Sequence, residues 1–134
     1  KYIAPQELES LVKLASGLVS QVVIHGDNRN FVTALVTVGE QAVRKWETQH
    51  NLAIPDLAEL TQRPELNAEI HKAMEGVNKG LPSYSTIKKF AILPKELTLE
   101  DGFLTPKMSI KRKVVEKHYK STLDAFYDGG KAAT

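Results

Sequence analysis

The chain has 134 residues, about the modal size of one domain, and its 42% hydrophobic and 25% charged residues exclude a disordered or collagen-like polymer. Its 18 basic and 16 acidic residues leave a formal net charge of +2, too balanced for a dedicated polyanion binder, so any basic feature has to be local.

The first predicted element is a helix over APQELESLVKLAS, with Pro5 suited to the first turn, Leu8, Leu11, Val12 and Leu14 at near-helical spacing, and Gly17 as its end. LVSQVVIHG and FVTALVTV are rich in β-branched residues and flank the turn cluster Gly26–Asn30, which predicts a β-hairpin. In its second strand Val32, Ala34, Val36 and Val38 form an apolar face. Phe31, Thr33, Leu35 and Thr37 form a mixed one, so a helix layer is expected over the apolar side.

A short helix over EQAVRKWETQH turns Val43 and Trp46 inward, and NLAIPDLAELTQ is a connector with one further helical turn. From Pro64, residues Leu66, Ile70, Ala73, Met74, Val77 and Leu81 form the inward stripe of an amphipathic helix that Gly80 and Pro82 stop. STIKKFAIL predicts a third strand, LTLEDGFLT two short strands about Glu100–Gly102, and a last helix starts near Ile110 and packs Val114, Val115, Leu123 and Phe126. The order αββααβββα predicts an α+β class. The expected form is a two-layer domain in which a small antiparallel sheet, the β-hairpin plus a third strand, is packed by helices. With no repeat or linker, residues 1–134 are expected to form a single domain.

The absence of cysteine rules out disulfides and thiolate metal sites, and the histidines at 25, 50, 71 and 118 lack the short spacings of metal ligands, so no metal site is expected. No apolar run approaches the ~20 residues of a membrane span. A cytoplasmic location follows as an expectation, and the abrupt start KYIAPQELE, without an initiator methionine, is that of a piece cut from something longer. Phosphate-loop, dinucleotide, nucleophile-elbow and zinc-helix motifs are all missing.

What remains is a few candidate groups. The acidic pairs Glu7 with Glu9 and Glu100 with Asp101 read as solvated surface, and His25, ending a strand, as a turn residue rather than a base. Lys113, Lys117 and Lys120 share one face of the last helix at about 100° per residue. That face is a solvated one or, in the alternative, part of a non-catalytic anion- or nucleic-acid-binding module, though no aromatic platform accompanies it. Lys107 differs, lying before the last helix on a loop fixed by Pro106, where the helix dipole would add to its charge at a phosphate or carboxylate.

Taken together, four stretches resemble one family. YIAPQELE (Tyr2 to Glu9) is similar to the Ile-x-Pro-x-Glu-Ile/Leu-Glu pattern that follows the interdomain hinge of AMP-forming acyl-CoA synthetases, and GDNRNFVTALV to the Gly-Asp-x-Arg hairpin of the long-chain fatty acid CoA ligases among them. VNKGLPSYSTIKKFAIL resembles their Asn-x-x-Leu, Tyr, Ile-Lys-Lys-Phe segment, and FLTPKMSIKRKVVEKHY their Leu-Thr-Pro signature and last helix. The resemblance is to the C-terminal domain and covers nearly the whole chain.

It implies the mobile lid of an enzyme that activates a fatty acid with ATP to an acyl adenylate and then forms a thioester with CoA. Implied with it are Mg in the full-length enzyme, an N-terminal core domain as the lid's partner, and no activity for the lid alone. It further implies no nucleic-acid partner, and it leaves contact with the inner face of the membrane open. CoA contacts near the hinge would fall on Lys1 and Tyr2. In the family's Leu-Thr-Pro-x-x-Lys pattern a lysine stabilises charge on the α-phosphate. An ungapped match puts Ser109 in that position, with a lysine at 107 instead. Three readings follow from the departure. Lys107 substitutes for the lysine, since residues two apart in an extended loop point the same way; Ser109 is the N-cap of the last helix, with catalysis resting on Lys111 or the core domain; or adenylation is slow or lost.

Overall fold

The computed structural model describes residues 4–128. Helix α1 (Pro5–Ala15) leads into the hairpin of β1 (Val19–His25) and β2 (Val32–Val38), followed by α2 (Glu40–Gln49), α3 (Leu57–Thr61) and α4 (Pro64–Asn78). A 3₁₀ turn (Ser83–Ser85) precedes β3 (Ile87–Ile92), and α5 (Arg112–His118) and α6 (Lys120–Ala125) close the described chain. The hairpin turn is closed by the Arg29 N–H donating to the Gly26 carbonyl at 3.1 Å, with Asn28 in the left-handed region that asparagine tolerates.

The α+β class is borne out, with a correction to the sheet. β1 and β2 pair antiparallel, Val22 opposite Val36 and Ile24 opposite Ala34, but β3 joins β2 in parallel, Ala34 opposite Phe90 and Val36 opposite Ile92. The sheet is therefore mixed, in the order β1-β2-β3. The cause is the path of the chain: α2, α3 and α4 carry it back to the starting end of β2, and a return of that length is what a parallel neighbour requires.

Both sheet faces are covered, so the helices form two layers instead of the one expected. Val22, Ile24, Ala34, Val36, Val38, Ile87 and Ile92 pack under Leu8 and Val12 of α1, Val43 and Trp46 of α2, Leu60 of α3 and Leu66, Ile70 and Met74 of α4. On the opposite face Val23 and Leu35 meet Leu93, Leu97, Phe103 and Leu104 together with Val115 of α5 and Leu123 of α6. The threonines of that second face are buried because their hydroxyls are bonded. Thr37 Oγ1 donates to the Gln21 side chain at 2.8 Å, and Thr33 Oγ1 to the His25 carbonyl at 3.2 Å.

Three further expectations need correction. Leu14 is 84% exposed and Leu11 also faces outward, so α1 buries Leu8 and Val12 alone from its leucine and valine stripe. The stretch LTLEDGFLT forms no strand pair of its own. Phe103 N–H donates to the Thr98 carbonyl and Gly102, at φ +85°, donates to Leu99, which makes a turn. The backbone of Leu97 is taken instead by one side chain: Gln21 donates to its carbonyl at 2.9 Å and accepts its N–H at 2.8 Å. The last helix is two short ones that meet at Tyr119, and Val114 is exposed. Among the described residues no helix is long and apolar enough to cross a membrane.

Candidate functional site

The signature stretch folds as a small hairpin rooted in the second core. Phe103 and Leu104 are buried there, Leu104 bridges Ile110 antiparallel, and the Lys111 N–H closes the root on the Phe103 carbonyl at 2.8 Å. Within it the Thr105 carbonyl accepts the Met108 N–H at 2.7 Å, the Thr105 N–H donates to the Ser109 carbonyl at 2.8 Å, and Thr105 Oγ1 accepts the Ser109 N–H at 3.1 Å. Pro106 pre-sets the second position of the turn, and Met108 follows in the left-handed region at φ +67°. A methionine in that conformation costs about 1 kcal/mol, which the four hydrogen bonds around it offset.

This geometry places Lys107 at the exposed tip, where it makes no hydrogen bond or ion pair among the described residues. Ser109 sits on the returning arm, also exposed. The loop turns between them and is not extended, so the premise that the two side chains point the same way is corrected. The N-cap reading of Ser109 is also corrected, because α5 starts at Arg112 and its N-cap is Lys111, without a side-chain cap. Lys107 therefore does not stand at a helix entrance. Lys1 and Tyr2 lie outside the described residues.

Ion pairs pin the surroundings. Lys95 Nζ lies 2.8 Å from Asp101, and that hydrogen bond, helped by Thr98, holds the Asp101 carboxyl below its ordinary range and raises the lysine. His25 is a tie between elements, its Nδ1 at 2.8 Å from Glu116 of α5. Glu9 and Asp101, read as solvated surface, are both paired, Glu9 with Arg112 at 2.8 Å. The sequence counts Arg112 only as one member of a basic stretch and gives it no role: inside the run KRK it has no spacing that separates it from Lys111 or Lys113. A cleft of about 380 Å³ opens where α1 begins, bordered by Ala4, Pro5, Gly26, Asp27, Tyr84 and Arg112. Among the described residues no group of three or more His, Asp or Glu is placed to hold a metal ion.

Residues 1–131 match the family described as AMP-binding enzyme C-terminal domain. The chain belongs to that family. This AMP-binding enzyme C-terminal domain is 36% identical over 129 residues to the long-chain-fatty-acid–CoA ligase FadD15 of Mycobacterium tuberculosis, which covers 96% of the chain and 21% of the relative. It is 28% identical over 130 residues to the peroxisomal long chain acyl-CoA synthetase 7 of Arabidopsis thaliana, covering 95% of the chain and 18% of the relative. The domain thus spans about a fifth of the length of these relatives. Its fold is that of the corresponding part of the adenylation domain of a carboxylate reductase from Mycobacterium chelonae, with a TM-score of 0.69 at 23% identity over 93% of this chain and 18% of the other. The resemblance read from the four sequence stretches is borne out at the level of the family.

Proposed function

We propose that residues 1–134 are one domain, the mobile C-terminal lid of a long-chain fatty acid CoA ligase, inactive without the larger N-terminal domain. In the first half-reaction a carboxylate oxygen of the fatty acid attacks the α-phosphorus of ATP and pyrophosphate leaves, giving the acyl adenylate. In the second, the CoA sulfur attacks the acyl carbon and AMP leaves. The N-terminal domain would hold ATP, Mg and the acyl chain; the lid would close on them in one orientation and admit CoA in another. The reading carries with it a cytoplasmic location, with the inner face of the membrane as a peripheral meeting place for the acyl chain.

The observation that carries the proposal is the pinned hairpin with, at its tip, an ammonium that has no partner among the described residues, in a chain 36% identical to a fatty acid CoA ligase. Negative charge accumulates on the α-phosphate oxygens as the pentavalent transition state forms. A cation delivered there by a rigid loop lowers that barrier without reorganising at the moment of reaction. Lys107 is assigned this role in place of the lysine that Ser109 replaces, and Lys1 and Tyr2 are assigned to the approach of CoA beside the hinge. In the full-length enzyme Lys107→Ala should lower ATP–pyrophosphate exchange by about 10²-fold and spare thioester formation from preformed acyl adenylate. Unchanged exchange would move the role to Lys111 or to the N-terminal domain.

A further inference from the structure

Arg112 follows the hairpin directly and reaches back across the sheet edge. Its Nη1 donates to the Ile24 carbonyl at 2.8 Å and lies 2.8 Å from Glu9 Oε2, and that same carboxylate oxygen accepts the Ile24 N–H at 3.0 Å. Ile24 belongs to β1, an outer strand, whose outward backbone groups have no strand to pair with. The ion pair closes both of them. Residues 9, 24 and 112, from α1, β1 and α5, thus meet in one ring of charge-assisted hydrogen bonds.

The two ends of this ring matter for different reasons. Glu9 lies on α1, the first described helix and, on the ligase reading, the one that follows the hinge, while Arg112 is the first residue of α5 and follows the hairpin directly. The outgoing arm of the hairpin is fixed by burial of Phe103 and Leu104, but on the returning arm Ser109 is exposed and Ile110 half-buried. That arm is held by hydrogen bonds to Thr105 and Phe103, by Ile110 at the border of the second core, and beyond them by the anchorage of Arg112. We infer that Glu9 and Arg112 are positioning residues for adenylation: they lock the hairpin to α1, so that a rotation delivered through α1 carries the loop tip to one fixed place. The inference rests on the ligase reading above. It asks nothing of the pair in thioester formation, where the loop tip is not the part presented.

The test uses the full-length ligase with Arg112→Met, which keeps the aliphatic stem, Arg112→Lys, which keeps one donor, and Glu9→Gln, which keeps an acceptor for Ile24. Arg112→Met should lower kcat for ATP–pyrophosphate exchange by about 10- to 100-fold, the scale of an ångström of misplacement, with KM for ATP and fatty acid held within roughly twofold. Arg112→Lys should recover part of the loss. Thioester formation from purified acyl adenylate should stay within roughly twofold in all three, which also shows that each variant is folded. Unchanged exchange in Arg112→Met, or an equal fall in both half-reactions, would overturn the inference. If Arg112→Met does not fold, Glu9→Gln and Arg112→Lys decide it by the same split. Absence of exchange in the unsubstituted enzyme would overturn the ligase reading itself.

Discussion

Asn78 holds Ile87 by both backbone groups: its amide nitrogen donates to the Ile87 carbonyl and its amide oxygen accepts the Ile87 N–H, each at 2.9 Å. The last residue of α4 thereby starts β3 in register. Replacing Asn78 with Ala should destabilise the chain by about 2 kcal/mol, one part for each partly buried bond, read as a lower urea midpoint. Asn78→Asp should also destabilise, because its carboxylate still accepts the Ile87 N–H but sets an anion that cannot donate against the Ile87 carbonyl.

At the hairpin tip, the left-handed backbone of Met108 predicts opposite signs for two substitutions. Met108→Asn should stabilise the chain by up to about 1 kcal/mol, whereas the β-branched Met108→Val should destabilise it by about the same amount. Equal midpoints for the two in denaturant would contradict the conformation described for residue 108.

Trp46, the single tryptophan, is 5% exposed and stacks on His50 at 4.5 Å, yet its ring N–H has no acceptor among the described residues. Trp46→Phe loses packing but also relieves that unpaired donor, so it should fall within about 1 kcal/mol of the parent. Trp46→Ala should cost about 4 kcal/mol. Thermal melts of the two variants separate the terms.

Acid stability should follow the paired carboxylates. Glu47 lies below its ordinary range chiefly because its carboxylate accepts the Ile54 N–H, and then because Arg44 is bonded to it. Asp124 is lowered by Lys120 and Arg29, and Asp101 by Lys95. A carboxyl whose folded-state value is depressed stabilises fully above its unfolded value and loses that contribution as pH falls through the folded one. The urea midpoint should therefore drop between about pH 5 and about pH 2, and Glu47→Gln should flatten the drop. A pH-independent midpoint over that range would contradict the pairing.

The hairpin and the amphipathic stripe of α4 were legible because both are local: β-branched runs about a turn cluster, and Leu66, Ile70 and Met74 at helical spacing. The direction of β3 was not, because the path of 48 intervening residues, not the composition of the strand, sets it. Thr33 and Thr37 made their face of β2 read as mixed, since alternation reports polarity and not whether a hydroxyl finds a buried acceptor. Leu14 kept helical spacing and still faces outward. The candidate loop was recognisable through its Leu-Thr-Pro signature, but its turn depends on three bonds made by Thr105, and the partner of Arg112 lies in a helix at the other end of the chain.

The parallel placement of β3 also makes one edge of β2 depend on a distant part of the chain. The β1–β2 hairpin can form as soon as residue 38 is available, but the far edge of β2 stays open until α2, α3 and α4 are in place and residues 87–92 arrive. Pairing across such a separation is slow relative to local contacts, and an uncovered edge carrying Ala34, Leu35 and Val36 is a template for another chain. A β1–β2 hairpin without β3 would leave its inner strand unsheltered, and α4, which holds Ile87 alongside through Asn78, is the element that secures the cover.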